Sequence, residues 1–580
     1  MATERAEHRN QLVLNLRAFA KLYGYVRFFH PSDEASSIDW SRFAVLGAGR
    51  VLECADTESL RKTLADLFEP IAPTVQVYKA GEERDAVDLP GDPASCVPVC
   101  WQHRGYGTPE SARLLKEKTG LDCVYTSLRT NRPGPELDSD LPDFGESPAP
   151  GECVDKPLDG DLTCRMPLCL WSRDDHTLPH AEAAALDRLK TQLAAVELDA
   201  SGNPPLSVRL AAVIVVWATL QHFYPYFDVV PTDWKNVLPE ALSGASAATT
   251  RREFHETIAL MAVELHDGHA MAVDQSKTTG MTQVDLAVVE GRVAVMTAAE
   301  ETGLRRGDVL VEVNGRPALE ALREKERLIS GSSQWKRFVG TLSLRCGPKT
   351  EPMRFLVQRG DDTALADVVP GAPPEPSDKG NIRELEKGIW YVDLGRSPMA
   401  YIEEKLDALA RARGVIFDLR GYPKDNQDII CHLLTGREKR GEKWAFVPRI
   451  AWPDRERISG WDAEGWDQMQ PREPRIKGKV VFLAGGGSIS RAECVIGYVR
   501  EFELAEIVGG PTAGANGDIV MMELPGGFCF YWTGLEVTKF DGSQFHLVGY
   551  QPSVPVERTL KAVQEGRDEY IEKALELIRG

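Results

Sequence analysis

A pattern that occurs twice constrains this chain more than any other feature. Phe28-Phe-His-Pro31, seven residues, then Asp39-Trp40 recurs as His222-Phe-Tyr-Pro225, seven residues, then Asp233-Trp234, at a constant offset of 194. The same offset pairs Leu60, Leu64 and Leu67 with Phe254, Ile258 and Met261, and each triplet has the spacing of one buried helical face. Two helical modules are predicted, over about 10–85 and 205–277. The copies part company at one end, where Leu265-His-Asp-Gly-His269 falls opposite Ile71-Ala-Pro-Thr-Val75. A polar cluster kept in one of two equivalent packing units points to chemistry, although His266 and His269 also read as plain loop residues. A zinc reading of His266 and His269 is weaker, because no further Cys or Glu-x-x-His spacing follows.

At 580 residues the chain is too long for one core, and several domains are predicted. Its net charge of −19 argues against a nucleic-acid partner, which would need clustered Lys and Arg. No run of about 18 apolar residues predicts a membrane span. The start, Met1-Ala-Thr-Glu-Arg-Ala-Glu-His8, lacks the basic-then-apolar order of a secretory signal. As it stands the sequence predicts a cytoplasmic protein, or a periplasmic or secreted one if a leader was trimmed. The 11 cysteines show no C-x-x-C pairs and are expected to be free and buried. Cys96 with Cys100, or Cys164 with Cys169, are the pairings open to an oxidising compartment.

The intervening segments differ in texture. After the first module (1–88), residues 89–182 are rich in Pro, Gly and Asp and predict a small β domain, a sandwich with a long loop over 131–150. Within it, Trp101-Gln-His-Arg104 reads as a buried Trp beside an exposed polar run. The second helical module occupies 183–277. From 278 to 363, Val289–Val295 reads as a hairpin, and Gly303-Leu-Arg-Arg-Gly-Asp-Val-Leu-Val-Glu-Val-Asn-Gly315 as turn, strand, turn. That run resembles the signature of PDZ domains. The resemblance implies a groove that takes an extended peptide as an added strand and holds its terminal carboxylate.

Residues 364–580 alternate strands (389–392, 414–418, 480–483, 505–508) with helices (400–412, 426–434, 491–502, 565–578), as an α/β layer does. Glycine-rich turns follow several strands, and none carries the Gly-Lys-Ser/Thr of a phosphate loop. The most telling is Gly485-Gly-Gly-Ser-Ile-Ser-Arg-Ala-Glu493, after the apolar Val480–Ala484. A strand ending in glycines, then a serine at the mouth of a helix near Ala492, aims a hydroxyl into a cleft above a helix N-terminus. Such a serine is a candidate nucleophile if a base can reach it, and otherwise a helix cap.

Taken as an ordered set, the PDZ-like run, Asp418-Leu-Arg-Gly421, Ser490-Arg-Ala-Glu493, Ile507-Val-Gly-Gly-Pro-Thr-Ala-Gly514, and Asp541-Gly-Ser with Val548-Gly-Tyr-Gln-Pro552 resemble the C-terminal-processing (tail-specific) serine peptidases. That family includes the tricorn core protease, and the resemblance covers about 205–580. It implies a multidomain α/β protein with a crotonase-like core, and a serine nucleophile three residues before the helix glutamate, which selects Ser490 over Ser488. The tail-specific branch takes a lysine base from the Gly-x-Pro-Thr loop, where this chain has Ala515-Asn516. The tricorn-like branch takes a histidine from an upstream helical domain, in a motif similar to Leu265–His269, and His269 matches it. That branch has a serine where Gly268 stands and a glutamate near His546. Asp267 and His546 therefore remain the two candidates to orient His269.

The predicted chemistry is acyl transfer to water, with Ser490 attacking a peptide carbonyl and His269 moving the proton. Backbone N–H groups of Gly421 and Arg491 are the candidate oxyanion donors. A peptide or protein is the expected substrate, and neither metal nor organic cofactor is called for. Two other readings use the same residues: an inactive peptide-binding scaffold, and a ligase or cyclase that passes the acyl group to another amine or alcohol.

Overall fold

The duplicated pattern folds into duplicated structure. In the computed structural model, which describes residues 2–79, 81–82, 95–120, 122–130, 144–198, 202–372, 381–436, 444–465 and 469–580, each copy contributes a long helix, a shorter one and a third. The first copy has Ala2–Phe29, Trp40–Val51 and Thr57–Phe68, and the second has Leu206–Phe223, Trp234–Ala247 and Arg251–Val263. The repeated Asp is the N-cap of each middle helix: Asp39 accepts from the Arg42 N–H and Asp233 from the Lys235 N–H. Equivalent side chains make equivalent bonds. Tyr23 donates to the Trp40 carbonyl (3.2 Å), and Trp217, at the matching place, donates to the Trp234 carbonyl (3.0 Å). The Ile71 carbonyl and its counterpart at Leu265 are each held by a hydroxyl, though from positions that do not correspond in the repeat: Ser32 donates to Ile71 O (2.5 Å) and Tyr224 to Leu265 O (2.6 Å). The carbonyl at the divergent end is thus held in both copies, and only the second continues into a histidine loop. Leu206–Phe223, which the sequence does not mark as a span, has the length and apolarity of one, yet 83% of it is buried in this fold.

The C-terminal layer is a six-stranded sheet ordered Ile382–Glu386, Ile389–Asp393, Gly414–Asp418, Lys479–Ala484, Glu506–Gly509, Val554–Pro555. The first pair is antiparallel and the rest parallel, so their carboxyl ends share one edge. Alternate residues face opposite ways. Ile416, Val481 and Leu483 pack under the C-terminal helix Glu569–Arg579, while Val415, Phe417 and Phe482 face the main core. The predicted helices over 400–412 and 426–434 form differently, as two one-turn helices (Met399–Glu403, Leu406–Ala410) and a 3₁₀ segment (Gln427–His432).

The predicted segmentation changes most over 89–182. Its strand Val97–Arg104 joins a seven-stranded sheet with Ala445–Ile450, Ile458–Glu464 and Glu536–Val537 of the C-terminal layer. Strand Leu162–Pro167 lies instead in a three-stranded sheet beside Gln76–Lys79. No self-contained sandwich results, and most of the loop predicted over 131–150 falls outside the described residues. Gln102, His103 and Arg104 are buried rather than exposed, because each has a partner: His103 bonds Phe28 O (2.7 Å) and Arg104 pairs with Asp462. One hydrophobic cluster runs from Leu16 to Tyr550 through the helical copies and the C-terminal layer. Residues 284–368 keep a separate core, a six-stranded sheet with helices Ala318–Glu326 and Ser333–Leu344.

Candidate active site

The turn after Lys479–Ala484 separates its two serines. Ser488 is fully buried, accepts from the Gly485 N–H (3.1 Å) and donates to Leu419 O (2.7 Å). Ser490 lies on the wall of a cavity of about 420 Å³, immediately before helix Arg491–Glu501. Its backbone sits at φ 56°, ψ −117°, a conformation costly for any residue with a Cβ, by about 1–3 kcal/mol. The geometry is that of a strand–turn–helix elbow that pushes a hydroxyl out of the chain.

Glu493 holds this turn in place. Its buried carboxyl accepts from Thr512 Oγ1 (2.5 Å) and from the N–H groups of Gly514 (2.7 Å), Ala515 (3.0 Å) and Ser490 (3.2 Å). Burial pushes its pKa up to about 8, against the pull of those four donors. The Ser490 N–H also reaches Ala515 O at 2.9 Å. The glutamate of the Ser490-Arg-Ala-Glu493 motif therefore ties the serine to the Thr512–Ala515 loop. Where a lysine base would stand, Asn516 is buried against the Cys494 thiol (3.2–3.3 Å), and no lysine lines the cavity among the described residues.

His269 reaches the same cavity from the second helical copy. Strand Met271–Asp274 pairs antiparallel with Phe528–Thr533, Met271 opposite Tyr531, and this register carries His269 alongside Thr533. Nδ1 of His269 lies 2.9 Å from Thr533 Oγ1, which lies 2.8 Å from Asp267 Oδ1. Asp267 also accepts from the N–H groups of His269 (2.9 Å) and Thr533 (2.7 Å). A threonine hydroxyl has one proton. Given to the carboxylate, it leaves Thr533 Oγ1 as acceptor for Nδ1–H, so Nε2 keeps its lone pair. Burial holds the His269 pKa below its ordinary 6.5, with Asp267 and Asp518 opposing. The ring is thus a neutral base at neutral pH. No hydrogen bond joins His269 to Ser490 in this structure, although both line one cavity.

Of the two candidates to orient His269, Asp267 connects to its ring through Thr533. His546 instead stacks on Tyr226, with ring centroids 3.8 Å apart. Thr533 had no signal in the sequence, being one polar residue at the end of an apolar strand. Gly268 has a packing reason: a Cβ there would meet the Ala515 Cβ at 2.6 Å and the Trp335 indole at 3.2 Å.

Gly421 follows a strand end clamped by a buried ion pair. Asp418 engages Arg420 and accepts from the Tyr391 hydroxyl (2.7 Å), and Arg420 reaches on to Asp568 at 2.8 Å. A Cβ at Gly421 would meet no protein atom within 4 Å, so this backbone faces open space. Arg491 heads the helix after Ser490, and its side chain pairs with Asp425 at 2.6 Å. Tyr422 and Arg491 line the cavity with Ser490, and Gly421 is not among its lining residues. No group of three or more His, Cys, Asp or Glu poised for a metal ion occurs among the described residues.

A family model described as Peptidase family S41 matches residues 432–556. Among solved structures, the chain is similar to mature CPAF complexed with lactacystin, at 13% identity and TM-score 0.53, over 64% of this chain and 98% of that one. Mature CPAF itself gives 13% identity and TM-score 0.50 over 64% and 96%. The photosystem II D1 C-terminal processing protease gives 17% identity and TM-score 0.37 over 60% and 93%. The CPAF likeness establishes a shared fold. No curated protein sequence matches this chain.

Proposed function

We propose that this chain is a serine peptidase of family S41, of the C-terminal-processing kind, and that it cleaves peptide bonds with Ser490 as nucleophile and His269 as base. One observation carries the assignment. A serine in a strained elbow and a histidine of fixed tautomer, 221 positions apart in sequence, line one cavity.

The steps follow from the geometry. Ser490 Oγ attacks the substrate carbonyl carbon as its proton passes to His269 Nε2, and His269 then gives that proton to the leaving amine. Water repeats the sequence on the acyl-enzyme and restores Ser490. Imidazolium formation is favoured by the Asp267 carboxylate, felt through Thr533. The carbonyl oxygen, as it gains charge, is met by the N–H groups of Gly421 and Arg491, donors of a type worth about 3–4 kcal/mol each. The open side of Gly421 supports this role, since substrate needs the space that a side chain would fill.

The 284–368 module supports peptide capture of the PDZ type. Strand Val284–Val289 is an edge of its sheet and helix Ser333–Leu344 packs beside it, so an extended peptide has both a free strand edge and a flanking wall. The parallel sheet with turns gathered at its strands' carboxyl ends likewise supports the crotonase-like core.

A fluorophosphonate is expected to label Ser490, and cleavage of an unstructured peptide is expected to vanish in Ser490→Ala and His269→Ala. Near wild-type turnover in His269→Ala would place the base elsewhere. A folded chain that neither labels nor cleaves would be the peptide-binding scaffold.

A further inference from the structure

Asp518 carries a charge that the mechanism above leaves unused. It lies on the cavity wall with His269, Ser490 and Arg491. Its backbone carbonyl accepts from the Tyr125 hydroxyl (2.7 Å) and the Gly534 N–H (3.0 Å), which fixes where the side chain starts. The carboxylate itself has neither hydrogen bond nor ion pair among the described residues. The nearest cation on the wall, Arg491, is already committed to Asp425. Apolar side chains of Met271, Ile519 and Leu535 line the same cavity.

Asp518 is exposed, so its carboxylate faces the open side of the cavity, which also carries Glu464, and the apolar side chains beside it suit a visitor with an aliphatic stem and a cationic tip. Resting on the peptidase reading, we propose that Asp518 is a specificity-determining residue that selects substrates with lysine or arginine beside the scissile bond. The stem lies along the apolar wall, and the ammonium or guanidinium pairs with the carboxylate at the solvent side of the cavity. Acidic substrate side chains meet like charge and are turned away.

The test uses the full chain and denatured casein, with cuts mapped and timed by mass spectrometry. Cuts are expected to concentrate beside Lys and Arg. In Asp518→Asn those cuts should slow about tenfold relative to the other cuts in the same digest, and Asp518→Lys should shift preference toward Asp and Glu. Absence of Lys/Arg enrichment in the wild type would overturn the proposal. So would uniform slowing in Asp518→Asn with a displaced acid limb in the pH–rate profile, since Asp518 would then act on His269. If the wild type cuts nothing, the peptidase reading falls, and selection is read by binding instead. Ser490→Ala chain with matched fluorescent peptides carrying lysine or norleucine should favour lysine about tenfold, with the gap closing when Asp518→Asn is added. Equal affinities would overturn the proposal there as well.

Discussion

Thr533 decides which nitrogen of His269 carries the proton, and that makes it the sharpest residue-scale test of the mechanism. Thr533→Val keeps the shape and removes the hydroxyl between Nδ1 and Asp267. We expect kcat to fall roughly 10–100-fold with KM little changed, and Thr533→Ser to recover most of the loss. Unchanged kinetics in the valine variant would separate Asp267 from catalysis. The pH dependence follows from the same ring. Burial lowers the His269 pKa, and the base works only when neutral. The acid limb of kcat/KM should therefore have its midpoint below pH 6.5, and a midpoint above 7 would contradict a buried histidine base.

At the scale of elements, the segment from Ser330 to Phe338 joins the two halves of the site. Ser330 Oγ accepts from the Asp267 N–H (2.9 Å), Ser332 donates to Ala513 O (2.5 Å) and Gln334 donates to Thr512 O (2.8 Å). Trp335 packs on Ile489, Ala513 and Ala515, and Phe338 leaves no room for a Cβ at Gly487. Histidine loop, serine turn and the loop beneath them are pressed together by one helix start. Gly268→Ser, which restores the residue type of tricorn-like motifs, should thus damage this site. Its Cβ collides with Ala515, and we expect a loss of about 1–3 kcal/mol in denaturant titrations together with reduced kcat. Wild-type stability would mean the loops part easily. Sequence made some of this architecture legible and not the rest. Helices of the repeat and strands of the parallel sheet announce themselves through local periodicity, and the Gly-rich turn places Ser490. The pairing of Met271–Asp274 with Phe528–Thr533 has no local signature, so Thr533 stayed hidden. Asp267 and His546 were equivalent on paper because the choice depends on that pairing and on Tyr226 offering His546 a stacking surface.

Among the described residues, four histidines besides His269 are buried neutral: His30, held down to about 3, and His103, His222 and His546, each at about 4. Desolvation is the main cause in every case. Above pH 6.5 these rings are uncharged in folded and unfolded chains alike. Below it the unfolded chain binds protons that the folded one refuses, so stability falls as pH drops. At pH 5.5 each histidine removes about 1.4 kcal/mol, and the four together about 5–6 kcal/mol. Thermal unfolding is expected to shift sharply downward between pH 6.5 and 5, and a flat Tm over that interval would show that these rings are solvated. The sequence had no means of reporting this, since each ring is enclosed by residues far from it in the chain, as His222 is by Tyr25, Phe28, Phe29 and Asp454.

Strand Ala445–Ile450 belongs to the C-terminal layer, yet its sheet neighbours include Val97–Arg104 from the first third of the chain. Trp444 and Ala445, at its start, line the cleft that holds Ser490. A minimal enzyme trimmed to the family-like portion would therefore lose more than an appendage. It would bare the strand's Arg449–Ile450 end, which pairs with His103 and Arg104, and such a fragment should bind its fellows edge to edge rather than work as a smaller peptidase.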